Sequence, residues 1–147
     1  MAAGNVTIVG RPELYAGLGL AAIADELPGF GPLGGLLTAL RSSTAEWSLV
    51  VACDLPRITA AFLRELIDAG LSSPGAKCVV AKSERGVEPL CAVWNARAIP
   101  ELRCALESGC LKMKGVVELV QAREWPVADP QILCNINAPE DWASVHD

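Results

Sequence analysis

Short apolar runs alternate along this chain with segments whose apolar residues recur every three or four positions. The first run, residues 6–9, is β-branched and closes on Gly10. Residues 11–17 carry Pro12 near their start and predict a brief helix. Residues 20–24 are apolar and run into Asp25. The Gly/Pro-rich stretch PGFGPLGG, residues 28–35, opens a predicted helix of Leu36, Leu37, Ala39 and Leu40 that stops near Ser42. The clearest strand is WSLVVACD, residues 47–54, apolar almost throughout, as in a strand of a parallel sheet covered on both faces. Phe62, Leu63, Leu66 and Ile67 then fall at helical spacing across residues 59–69, with Gly70 as the predicted C-cap. Strands are predicted at 77–81 and 90–94 around a loop at 82–89. Helices are predicted at 100–108 and 113–120 and a last strand at 132–136. Pro139, Glu140 and Asp141 signal one further helix start.

This alternation predicts one α/β domain over residues 1–147, a three-layer sandwich around a mostly parallel sheet. Apolar residues make up 52% of the 147, enough for a real core and against disorder. The net charge of −5 argues against a nucleic-acid partner. No apolar run reaches the roughly 18 residues that span a bilayer. The N-terminus has no secretory pattern, so a soluble, cytoplasmic protein is expected. None of the six cysteines forms a C-x-x-C pair. Cys53, Cys78, Cys91 and Cys134 lie in or beside apolar runs and are read as reduced thiols, small hydrophobes buried in a core. His146, the only histidine, sits beside the C-terminus, which leaves no Ser-His-Asp set.

In parallel sheets ligands lie beyond the carboxyl ends of strands, which directs attention to Asp25, Asp54, the 82–89 loop and residues 135–137. Asp54 ends the clearest strand, and a carboxylate there could hold magnesium or simply cap the next turn. The glycines of residues 28–35 permit close backbone approach to a ligand, but also suit an ordinary strand-to-helix connection. Asn135 and Asn137 would put two amides on one face of a strand end, able to read a heterocycle edge; they equally suit a turn. Glu88 precedes Pro89 at another loop-to-strand join, with Trp94 beyond it as a core aromatic. Trp47, Trp125 and Trp142 are read as packing residues.

Taken in order, GPLGGL, VACDLP, EPLCAVW and NINAPEDW resemble the molybdenum cofactor guanylyltransferase family, within the wider Rossmann-like nucleotide-diphospho-sugar transferase fold. The resemblance runs from Val6 to Trp142. It implies transfer of GMP from GTP to molybdopterin, with release of pyrophosphate. It implies Mg2+ held by Asp54 as the catalytic and metal-binding residue. Asp25, Gly31, Pro32, Leu33, Gly34 and Gly35 would bind the nucleotide together with Asp54, and Glu88, Asn135 and Asn137 would face the acceptor. A related transferase using CTP or a sugar phosphate, or an inactive α/β domain that binds a partner protein, stays open. So do the oligomeric state and any protein partner from cofactor biosynthesis.

The family's opening strand and its G-G-x-S-x-R-M-G-x-D-K-like loop have no counterpart in this sequence, so the chain reads as N-terminally incomplete relative to the family. That departure predicts a gap or exposed edges in the sheet. It also leaves Arg11, Arg57, Lys82 and Arg85 as the basic residues near the nucleotide rim, and predicts weak or absent activity for this chain alone.

Overall fold

The computed structural model of the protein describes residues 4–136. Asn137, the predicted helix start at Pro139, Glu140 and Asp141, Trp142 and His146 lie outside the described residues. The β-branched Thr7–Gly10 forms β1, and Pro12–Tyr15 forms α1, its proline in the first turn where no amide proton is needed. Ala21–Ala24 is β2, paired in parallel with β1 as a two-stranded sheet. Gly31–Ser42 is α2, Trp47–Val51 is β3 and Ala60–Leu71 is α3. The α3 start is capped by Thr59, whose hydroxyl accepts the Phe62 N–H at 3.2 Å. Cys78–Ser83 is β4, Gly86–Asn95 is β5, Ile99–Glu107 is α4, Met113–Leu119 is α5 and Arg123–Pro126 is β6.

The second sheet has the order β3-β5-β4-β6. Strands β3, β4 and β6 run one way and β5 runs against them. Side chains of β4 and β5 alternate between two cores, as the period of a strand requires. Cys78, Val80, Ala92 and Trp94 pack under Leu33, Leu36, Leu37 and Leu40 of α2, with Leu102 of α4 and Val116 of α5. Val79, Ala81, Cys91 and Val93 face Phe62, Leu66 and Ala69 of α3, with Leu55 and Leu133. The result is the expected three-layer α/β sandwich, with α2, α4 and α5 on one face of the sheet and α3 on the other.

Several elements differ from the sequence reading. Strand β3 ends at Val51, and its five residues are only half-buried, with Val50 packed against one core and Trp47, Leu49 and Val51 against the other. It pairs only with β5, and no ladder joins its other edge to β1 or β2 among the described residues. Helix α2 packs against both β1 and β3, so it spans the two sheets. Gly70 lies inside α3 and does not cap it. A Cβ there would meet Val93 Cγ2 at 2.8 Å and the Trp47 ring at 3.3 Å, so packing against the sheet requires the glycine.

The expected loop at 82–89 is instead a hairpin turned by Glu84 and Arg85, with Gly86 at φ +113°. Residues 132–136 do not form a strand. A 3-10 turn occupies Pro130–Leu133, started by Asp129, whose carboxylate accepts the Gln131 N–H at 2.9 Å. The strand that sequence reading missed is β6, at the sheet edge beside β4. Cys78 and Cys91 are buried as expected, but Cys53 is exposed and Cys134 half-buried.

Candidate functional site

Strand β3 delivers Asp54. The Ala52 N–H donates to the Leu90 carbonyl at 2.7 Å, which carries the ladder one residue beyond the strand end and leaves Asp54 in the turn that follows. The Asp54 carbonyl accepts the Ile136 N–H at 2.9 Å, tying this turn to the segment that carries Asn135. Oδ1 of Asp54 is buried and has no hydrogen-bond partner among the described residues. A buried acceptor without a partner is unusual and calls for an occupant or a use.

Glu88 reaches the same region through an irregularity in β5. Val80 pairs with Ala92 and Ala81 with Glu88, so Pro89, Leu90 and Cys91 are extra residues opposite β4. Such a bulge bends the strand and re-aims its side chains, and it accommodates a proline that cannot donate to the ladder. Burial raises the Glu88 carboxyl above its ordinary pKa. A hydrogen bond from the Leu90 amide and the charge of Lys114 pull it down, and the charge of Asp54 pushes it up. Glu88 and Asp54 are therefore electrostatic neighbours.

Glu88 and Asn135 line one cavity of about 450 Å³ together with Arg85, Lys114 and Cys134. Asp54 does not line it and stands beside it through the Ile136 bond. Sequence reading did not single out Lys114. It lies in α5, about thirty residues from the hairpin it faces, and a lysine in a short helix carries no signal of such a contact.

The second group of predicted residues is built around α2. Asp25 follows β2, and its Oδ1 accepts the Leu27 N–H at 2.9 Å and the Thr38 hydroxyl at 3.1 Å. Thr38 Oγ1 in turn accepts the Glu26 N–H at 3.1 Å, so the 25–27 turn is fastened to the helix. Gly31, Pro32, Leu33, Gly34 and Gly35 are not a loop: they are the first residues of α2. The Leu33 side chain is fully buried in the core, so it presents nothing to a ligand. Gly34 is dictated by packing, since a Cβ there would stand 2.5 Å from the Leu27 carbonyl oxygen. Gly31, at φ +59°, and Gly35 face open space. No hydrogen bond in the described structure joins this group to Asp54, Glu88 and Asn135.

Of the basic residues expected at the rim, Lys82 pairs with Glu124 and Arg57 donates to Gln131 Oε1 at 2.8 Å. Among the described residues, no three His, Cys, Asp or Glu side chains gather as a metal cage. Magnesium suits such a site, because it usually takes one or two protein carboxylates and fills its shell with water and substrate phosphates. The unpartnered Oδ1 of Asp54 is a hard oxygen of the kind magnesium takes.

A family model described as the MobA-like NTP transferase domain matches residues 1–124. The chain belongs to that family. It is 33% identical over 118 residues to a probable molybdenum cofactor guanylyltransferase of Synechococcus elongatus, an alignment covering 78% of this chain and 60% of the relative. The chain thus spans about 60% of that relative's length. The crystal structure of molybdopterin-guanine dinucleotide biosynthesis protein A from Archaeoglobus fulgidus superposes with a TM-score of 0.78 at 26% identity, over 94% of this chain and 75% of that one. The 2-C-methyl-D-erythritol 4-phosphate cytidylyltransferase of Thermus thermophilus shares the fold, with a TM-score of 0.71 at 13% identity over 97% of this chain and 80% of that one. The nucleotide-diphospho-sugar transferase-like fold and the membership of a nucleotidyltransferase family are thereby established. No helix among the described residues is long and apolar enough to cross a membrane.

Proposed function

We propose that this chain is the greater part of a magnesium-dependent guanylyltransferase that joins GMP, from GTP, to the terminal phosphate of molybdopterin. In that reaction an acceptor phosphate oxygen bonds to the α-phosphorus of GTP, the bond from that phosphorus to the bridging oxygen breaks, and pyrophosphate leaves with its electrons. The reading is carried by the buried, unpartnered carboxylate oxygen of Asp54 beside Glu88, in a chain of the MobA-like family. Magnesium bound there would neutralise charge on the α-phosphate. Asp54 holds and orients; Glu88 and Asn135 face the acceptor; the free backbone at Gly31 and Gly35 leaves room for the nucleotide. The work is positioning and charge stabilisation, with no covalent intermediate on the protein.

The same electrostatics supports a second element of the reading. Arg41, the cation of α2, is paired with Glu26 at 3.5 Å, and Lys82 is paired with Glu124, so neither is free to face a triphosphate. We infer that this chain alone binds GTP weakly and turns it over slowly. Displacement of a fluorescent GTP analogue tests the nucleotide assignment. GTP is expected to displace it at least about tenfold more effectively than CTP, a difference of about 1.4 kcal/mol. Equal displacement by CTP would move the assignment to a cytidylyltransferase.

A further inference from the structure

The cavity beside Asp54 brings two cations together on its wall. The chain is acidic overall, at −5, yet Arg85 and Lys114 both line this pocket and face one carboxylate, Glu88. Neither cation belongs to an ion pair within 4.0 Å among the described residues. Arg85 is steadied at its base, where its N–H donates to Ser83 Oγ at 3.2 Å, and at its tip by a 3.8 Å contact from Nη1 to Cys134 Sγ. Lys114 Nζ lies 4.0 Å from the point a Cβ on Gly86 would occupy, which places the lysine over the hairpin turn. The Asn135 amide completes a rim of donors, and its neighbour Ile136 is bonded to the Asp54 turn.

We propose that Arg85 and Lys114 form a subsite for a phosphate dianion, the phosphomonoester end of the acceptor, which their charges bring toward Asp54. A phosphomonoester, at about −1.5 to −2 at neutral pH, matches two cations better than the single charge of Glu88 does. Arg85 can offer a bidentate fork and Lys114 a point charge. The phosphates of the nucleotide share this chemistry. The acceptor is favoured because the pocket includes Glu88 and Asn135 but neither Asp25 nor any residue of α2. This inference rests on the transferase reading only for the identity of the acceptor.

The test is a titration of the isotopically labelled full chain with phenyl phosphate, followed by amide NMR, with and without saturating Mg-GTP. Phenyl phosphate is expected to shift Gly86, Lys114 and Asn135 whether or not Mg-GTP is present. Lys114→Met is expected to raise its dissociation constant about tenfold, Arg85→Met likewise, and Lys114→Arg only about two- to threefold. Both residues are exposed, so preserved spectral dispersion in each variant shows an intact fold. Unchanged affinity in Lys114→Met and Arg85→Met would overturn the subsite. Displacement of phenyl phosphate by Mg-GTP would overturn its assignment to the acceptor. Phenyl phosphate binding with no GTP binding at all would leave the subsite standing and defeat the guanylyltransferase reading.

Discussion

Gly34 and Gly35 are adjacent in α2 but face different surroundings, so replacing each with alanine separates two effects that usually act together. Alanine in a helix interior is favoured over glycine by about 0.8–1 kcal/mol. At Gly35 nothing lies within 4 Å of the new methyl, so that preference acts unopposed. At Gly34 the methyl would stand 2.5 Å from the Leu27 carbonyl oxygen, and 3.2 Å from Leu27 Cβ and Phe30 Cβ. An ordinary carbon–oxygen contact is about 3.3 Å or longer, so the 27–30 turn must retreat by roughly 0.8 Å. The obstacle is backbone and cannot change rotamer, and overpacking of this kind costs about 1–3 kcal/mol. Gly35→Ala should therefore stabilise by about 0.5–1 kcal/mol, and Gly34→Ala should lie about 1–3 kcal/mol below it. Urea unfolding followed by tryptophan fluorescence reads the difference directly. The displaced turn also holds the Leu27 N–H on Asp25, so Gly34→Ala should weaken GTP binding as well. Equal stabilities for the two variants, within about 0.3 kcal/mol, would refute this account of α2.

Asp54→Ala should raise the melting temperature of the metal-free protein. It removes a buried acceptor without a partner, a penalty of about 1–3 kcal/mol, or roughly 2–4 °C per kcal/mol for a chain of this size. A lower melting temperature would mean the carboxylate serves the fold. Glu88→Gln should stabilise the metal-free protein at pH 7 and leave it unchanged near pH 4. The Glu88 carboxyl is raised above its unfolded value, so the native state holds its proton longer and loses stability as pH rises through that window. Denaturant midpoints across pH measure this, and a Gln effect equal at both pH values would count against it. Leu102→Ala, at a fully buried core position, should cost about 2–5 kcal/mol in the same unfolding assay. Ellman's reagent on the native protein should modify Cys53, Cys104 and Cys110 quickly. It should spare Cys78 and Cys91 until unfolding, because burial pushes both thiols up, that of Cys91 to about 12.

Much of the architecture was legible because the core speaks in periods. Phe62 and Leu66 marked α3, and the unbroken run 47–51 marked β3. What escaped did so for physical reasons. Strand β6 reads Arg-Glu-Trp-Pro and carries no apolar run, because it lies at an edge and is held by pairing with β4. The 82–95 hairpin was hidden by the polar run from Lys82 to Arg85 and by Pro89, which the bulge accommodates. Residues 132–136 are apolar enough for a strand, but Asp129 and Pro130 turn the backbone first. At the site, the position of Asp54 after a strand could be read from sequence, whereas Glu88 lies within β5 and not in the expected loop. Lys114 could not be read from it, since its place over Gly86 depends on how α5 packs against the sheet. Leu33 shows the converse, a residue of a motif whose side chain belongs wholly to the core.

Calorimetric titration of GTP into the chain, with magnesium and with EDTA, and repeated on Asp54→Ala, tests the central claim most directly. The account predicts a weak GTP binding heat that requires magnesium and disappears in Asp54→Ala while the variant stays folded. Binding of equal strength in EDTA, or undiminished in the variant, would contradict it.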